Sequence, residues 1–344
     1  MSEQPTFMQR EVAEIPAAAR RFLDGARDEI AATAAAMRNA DPGLLVTVAR
    51  GSSDHAATYL KYAVELAAGV PVASVGPSVA SIYGRQLWLG NAVCIGISQS
   101  GQSPDIVEMM KSAGAGGALT VAVTNFASSP MAQACNHTLA LRVGPEQSVA
   151  ATKTFAVSVL AALALTAEWQ GDAELKAAVE AAPDAFERAL GCDWSPLADR
   201  LADAGSLFVL GRGPGFAISN EIALKFKETC GIHAESYSAA EVLHGPSALV
   251  SARFPVLALG VEDAALSQVI STAERLAGQG ADVFLTAEGA GPRVTVLPSV
   301  SGLHALVAPL VLIVSFYVFI EALARRRGLN PDQPPHLRKV TATV

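Results

Sequence analysis

Cysteine is scarce in this chain: Cys94, Cys135, Cys192 and Cys230 are the only four among 344 residues. No two lie at the short spacing of a structural zinc site, so neither a metal ligand set nor a disulfide framework is expected. The thiols read as buried groups in a reducing cytoplasm. Basic runs are almost absent as well. Arg325-Arg326-Arg327 suits the end of a helix, and the net charge is -7, which argues against nucleic acid and anionic membrane surfaces as partners. Residues 1–10 hold no basic segment followed by an apolar run, so no export signal is expected. Long apolar stretches are missing except for residues 303–320. That stretch contains Pro309 and sits at the lower length limit for a bilayer span, and it reads as a buried core helix.

Half of the chain is apolar, at 51% of 344 residues, which is enough for two domains with a large core. Residues 5–39 read as a helical lead, alanine-rich from about 17 to 37. Apolar runs at 44–49, 72–75, 93–97, 119–124 and 138–142 read as strands separated by helices, the pattern of an α/β fold with a parallel sheet. Helices are expected over 149–169 and 173–190, and residues 192–196 read as a link between domains.

Two strand-to-helix turns carry chemistry. Ile97-Ser98-Gln99-Ser100-Gly101-Gln102-Ser103-Pro104-Asp105 runs from a strand into hydroxyls, with Ser103 placed as N-cap and Pro104 as first helical residue. Free amides, hydroxyls and the helix dipole there suit an anion, and a phosphate monoester fits. Arg50-Gly51-Ser52-Ser53-Asp54 is a second such turn, before a helix expected from His55 to about Ala68. In a parallel sheet both turns fall on the same edge. Neither matches GxxxxGK[ST] or GxGxxG, so nucleotide binding is not indicated. Taken alone, each turn also fits an ordinary capped, serine-rich connection.

The second half repeats the first. Val46 to Gly51 (VTVARG) matches Phe208 to Gly213 (FVLGRG), and at the same offset Val93 to Ser98 (VCIGIS) matches Pro255 to Gly260 (PVLALG), which indicates duplication of a whole domain. After the second match stand Glu262 and Asp263, whose carboxylates would repel a phosphate, so the anion belongs to the first copy. The second copy instead carries Lys225 and Glu228, three apart and therefore on one helical face. A surface ion pair is one reading. Because Leu224, Phe226 and Cys230 interleave with them, a partly buried helix that desolvates Glu228 and suits it to act as a base is the other. His244 precedes Gly-Pro in a turn.

The ordered blocks ARGSSDHA, ISQSGQSPD, EQSVAATKTF, LGRG, EIALKFKE, HAESYSAAEVLHGP and DQPPHLRKVTATV resemble the isomerase half of glucosamine-6-phosphate synthase (glutamine:fructose-6-phosphate aminotransferase) and its stand-alone relatives, built from paired sugar-isomerase (SIS) domains. The resemblance runs from about Met8 to the C-terminus. It implies two tandem α/β domains, each a five-stranded parallel sheet of the doubly wound, flavodoxin-like kind. The expected organisation is a helical segment over 1–39, a first domain over 40–191, a second over 192–328 and an active-site tail over 329–344.

Carried over by position, the resemblance places Ser52, Ser53, Ser98, Gln99, Ser100 and Ser103 at the sugar phosphate. It makes Glu228 the base between the first two sugar carbons and Lys225 its helper. His244 becomes a ring-opening group reaching across a homodimer, Lys339 a contact to the sugar carbonyl, and Val149 a backbone contact to the sugar. Two positions depart: Arg50 replaces a small or cysteine side chain, and Ala151 stands where a sugar-contacting serine is common. The glutamine-hydrolysing domain of the synthase has no counterpart in this sequence, so the expected reaction is release of ammonia, glucosamine 6-phosphate giving fructose 6-phosphate without metal or organic cofactor. Other phosphosugar aldose–ketose isomerisation, galactosamine- or fructosamine-phosphate processing, and a non-catalytic sugar-phosphate sensor remain as alternatives. A sensor would need only the serine turns, whereas this chain also keeps Lys225, Glu228, His244 and Lys339.

Overall fold

The computed structural model describes residues 4–339. Helices α1 (Phe7–Ala13), α2 (Ile15–Gly25) and α3 (Arg27–Ala40) lead the chain. Strands β1 (Leu44–Val48), β2 (Val72–Ser74), β3 (Ala92–Ile97), β4 (Leu119–Thr124) and β5 (His137–Ala140) alternate with α4 (Ser52–Ala68), α5 (Ser78–Ser81), α6 (Pro104–Ala115) and α7 (Pro130–Gln133). After α8 (Lys153–Gln170), α9 (Ala173–Ala189) and α10 (Ser195–Leu201) come β6 (Ser206–Gly211), α11 (Pro214–Cys230), β7 (His233–Ser238), β8 (Pro255–Ala258), α12 (Leu266–Gly278), β9 (Asp282–Leu285), β10 (Val294–Val296) and α13 (Ala308–Arg326). The chain forms two compact units that interleave in sequence. One takes residues 15–146, 153–183 and 338–339; the other takes 4–14, 147–152 and 184–337.

The first unit holds a five-stranded sheet of order β2-β1-β3-β4-β5, parallel throughout. Every residue of β3 is buried, because helices cover both faces and a strand so enclosed is apolar without alternation. The order reverses between β1 and β3, so the two serine turns leave adjacent strands at the switch point, where open parallel sheets bind ligands. The second unit repeats this order as β10-β9-β8-β6-β7, also parallel. The duplication extends to backbone angles. Gly51 before α4 has φ 55° and ψ -134°, and Gly213 before α11 has φ 54° and ψ -134°, a left-handed turn that glycine enters without a Cβ penalty.

Some boundaries differ from expectation. Helix α4 begins at Ser52 rather than His55, so Ser52 and Ser53 are its first residues and not part of a loop. The lead is broken at Ala26, where Gly25 leaves room for the Arg142 side chain, which pairs with Glu29 of α3. Helix α8 starts at Lys153 rather than near 149. Residues 147–152 are held elsewhere: Glu11 accepts from the Gln147 amide and from the Ser148 hydroxyl at 2.5 Å, and the Val149 amide donates to the Asp332 carbonyl at 3.2 Å. Trp194, in the stretch read as a link, is a buried anchor. Its indole donates to the Pro298 carbonyl at 2.9 Å and its ring lies 6.4 Å from Phe316.

Helix α13 is the described helix long and apolar enough to cross a membrane, and it forms the core of the second unit, packing on α11 and α1. Pro309 falls in its first turn, where the missing N–H has no intrahelical partner to lose. Phe226 of α11 meets Phe316 of α13 edge-on at 5.3 Å, which fixes α11 against the core.

Candidate active site

In the first unit the loop after β3 is folded over the end of β4. The Gln99 carbonyl accepts from the Asn125 amide and the Thr124 hydroxyl, at 3.1 and 3.2 Å, and the Gly101 carbonyl accepts from the Met131 amide at 3.0 Å. Within the loop, the Ser98 and Ser100 hydroxyls accept from the Gly101 and Gln102 amides at 3.2 and 3.3 Å. Two of the amides expected to face an anion are therefore already engaged by these hydroxyls. Ser103 occupies the N-cap position, but its side chain makes no capping bond. Its hydroxyl, with those of Ser52 and Ser53 in the first turn of α4, belongs to the same sheet edge. Gln99 is half-buried beside them.

Arg50 leaves the end of β1 and donates through Nε and Nη2 to one oxygen of Asp105, at 3.1 and 2.7 Å. The partner lies 55 residues away in sequence, and nothing local announces it.

In the second unit, helical spacing does bring Lys225 and Glu228 together, at 2.6 Å. Burial falls on the lysine. Lys225 is fully buried and the Glu228 side chain keeps 20% exposure, so the pair is not a surface ion pair: the cation lies within the fold and the carboxylate at its edge. Lys225 also reaches Glu221, one turn earlier, at 3.1 Å, and the Tyr317 hydroxyl of α13 donates to Glu221 at 3.2 Å. Burial alone would push the Lys225 ammonium down, but the Glu221 and Glu228 carboxylates more than reverse this and hold it above its ordinary value. It stays a cation and fixes the Glu228 carboxylate. Glu221 was legible in EIALKFKE as an i,i+4 partner, but its burial against α13 was not.

His244 ends a short 3₁₀ turn, Glu241–His244, before Gly245 at φ 145°. The imidazole is exposed and has no hydrogen-bond partner among the described residues.

Lys339 reaches Glu146 at 2.8 Å in the first unit. Glu146 is buried and also accepts from the Thr154 amide and hydroxyl, at 3.0 and 2.9 Å, which caps the start of α8. Sequence reasoning missed Glu146 altogether, since its partner on the tail lies 193 residues away. The remainder of the tail, Val340 to Val344, lies outside the described residues. Val149 has its amide committed to Asp332, so a backbone contact to a sugar there would use the carbonyl oxygen. Ala151 offers only a methyl group.

Size of cavity does not single out this chemistry. A cavity of about 390 Å³ opens at the ends of β8 and β9, lined by Glu262, Glu288, Thr286 and an apolar floor, and its carboxylates repel the anion that the serine turns suit. Nor do the thiols contribute: burial pushes Cys94 up to about 12, and Cys135 and Cys230 up to about 11, which keeps them protonated and unreactive. No group of three or more His, Cys, Asp or Glu side chains suited to a metal ion is found among the described residues.

Comparison with known proteins gives this geometry a context. The SIS domain profile matches residues 40–167 and 200–292. A glutamine–fructose-6-phosphate aminotransferase of Aeropyrum pernix is 34% identical over 99% of this chain, and the chain spans 57% of that relative's length. A candidate phosphosugar isomerase of Silicibacter pomeroyi DSS-3 superimposes with a TM-score of 0.92 at 51% identity, covering 95% of this chain and 100% of its own. A glucosamine-6-phosphate deaminase of Thermotoga maritima shares the fold, with a TM-score of 0.78 at 19% identity over 98% of this chain and 100% of its own. With two parallel sheets of identical strand order, each entered through the same arginine-glycine turn, this chain belongs to the SIS domain family.

Proposed function

We propose that the protein is a phosphosugar-processing enzyme that converts glucosamine 6-phosphate and water into fructose 6-phosphate and ammonia. The observation that carries this reading is the Lys225–Glu228 pair, a half-hidden carboxylate fixed at 2.6 Å by a buried cation. A binding protein for sugar phosphates has no use for such a pair, whereas a proton shuttle does. In the proposed sequence the serine turns hold the phosphate, which supplies binding energy remote from the reacting carbons. His244, from the other subunit of a homodimer, moves a proton between the ring and anomeric oxygens as the ring opens. Glu228 removes the C2 proton and returns it to C1, which turns the amine at C2 into an imine. Water adds at C2 and the C2–N bond breaks, releasing ammonia. Lys339 steadies charge at the sugar oxygen. Lys225 acts on Glu228 rather than on the sugar.

A panel of 6-phosphates of glucosamine, galactosamine, N-acetylglucosamine and fructosamine, assayed for ammonia, tests the assignment. Glucosamine 6-phosphate is expected to release ammonia fastest; release from another member alone moves the activity to that sugar, and release from none removes the deaminase reading. The phosphate site has its own test. Ser52→Ala with Ser100→Ala is expected to weaken fructose 6-phosphate binding by about 2 to 4 kcal/mol through loss of charge-assisted hydrogen bonds, with the fold intact. Unchanged affinity by calorimetry would remove the serines from the site.

A further inference from the structure

We infer that Arg50 is a ligand of the substrate's phosphate and sets a preference for the doubly ionised phosphate monoester; this rests on the reading of the serine turns as the phosphate site. Arg50 stands between the two turns, on the last residue before Gly51 and the N-terminus of α4. Asp105, in the first turn of α6, fixes it by accepting both Nε and Nη2 on Oδ2, while its Oδ1 faces the Ile106 amide at 2.9 Å. Asp105 is fully buried and Arg50 is 49% exposed, so the carboxylate forms the base of the pair and the guanidinium its outer face. Nη1 has no partner among the described residues. A guanidinium held by two of its nitrogens keeps a fixed plane and presents its remaining donors in one direction, the geometry suited to a phosphate oxygen.

Charge makes the same point. Both helices whose N-termini face this edge carry an acid in their first turn, Asp54 in α4 and Asp105 in α6. Either carboxylate works against the helix dipole as an anion site. Arg50 neutralises Asp105 directly. It also acts on Asp54, whose carboxyl is pushed up by burial and drawn back by His55 and Arg50. Without Arg50 a phosphate would meet the two acids with that neutralising cation gone. The duplicated half provides an internal control. Arg212 sits at the same place after β6, yet it donates to the Ser238 hydroxyl at 3.0 Å, and the turn after β8 carries Glu262 and Asp263 in place of serines.

Calorimetric titration with inorganic phosphate and with fructose 6-phosphate tests the inference, since it needs no turnover. Arg50→Ala and Arg50→Gln are expected to weaken both ligands about 10- to 100-fold. Arg50→Lys, which keeps the charge but not the two-nitrogen hold on Asp105, should fall between the wild type and Arg50→Gln, and Arg212→Ala should bind as the wild type does. Wild-type affinity for fructose 6-phosphate should climb as the ester's second ionisation completes, near pH ~6, and that climb should flatten in Arg50→Gln. The glutamine variant retains a donor for Asp105, so it decides the matter if the alanine variant does not fold. Wild-type affinity and an unchanged pH profile in Arg50→Gln would overturn the inference and reduce Arg50 to a tie between β1 and α6. A wild-type protein that binds phosphate but releases no ammonia overturns the deaminase reading and leaves this one standing, whereas one that binds neither ligand overturns both.

Discussion

Replacing Glu228 with Gln is expected to cut turnover by about 10² to 10⁴ while fructose 6-phosphate still binds. The amide is nearly the size of the carboxylate, and its oxygen can accept from Lys225 as Glu228 does at 2.6 Å, but it cannot take a proton from carbon. The fold should survive, because Lys225 keeps Glu221 at 3.1 Å and so is not left as an unpaired buried cation. Solvent deuterium exchange at C2 measures the step itself. A normal exchange rate in the variant would assign the base to another residue. The same variant also probes subunit sharing: mixed with His244→Ala chains, it should regain part of the activity through hybrid dimers that hold one intact site. No recovery on mixing would place His244 within its own subunit's site or outside the chemistry.

Deleting residues 338–344 is expected to leave a folded protein whose turnover has fallen by about 10² to 10³. Lys339 is the residue of this tail to which the proposed mechanism gives a role, and Glu146 holds its ammonium at 2.8 Å. Glu146 would still hold the Thr154 amide and hydroxyl after the deletion, so α8 keeps its cap and circular dichroism should be unchanged. Lys339→Met isolates the ammonium from the rest of the tail. If the deletion and the point variant fall equally, the charge is what matters; full activity in both would remove Lys339 from the mechanism.

The sheets were legible in the sequence because each central strand is a short apolar run bounded by turn residues, and because parallel connections leave few possible strand orders. Local periodicity likewise exposed Lys225 and Glu228. What escaped was set by distant partners. The alanine-rich pattern runs on through residues 149–152, and only Glu11 and Asp332, far away in sequence, draw that segment out of helix α8. Arg50 was visible as an odd residue in a familiar motif, but Asp105, which fixes it, emerged only once β1 and β3 were seen side by side. Which member of the i,i+3 pair lies inward was not legible for a related reason, because it depends on what packs against the helix: Tyr317 of α13 donates to Glu221, the second partner of the buried Lys225, while Glu228 keeps 20% exposure.

The most direct measurement of the central claim follows glucosamine 6-phosphate in deuterated water by NMR in the presence of the wild-type protein. Fructose 6-phosphate and ammonium should appear in equal amounts, with C1 carrying part of the original C2 hydrogen and part solvent deuterium, as expected when one carboxylate moves the proton from C2 to C1 and exchanges some of it with solvent on the way. Glucosamine 6-phosphate that remains unchanged, while unaminated sugar phosphates interconvert or merely bind, would contradict the account.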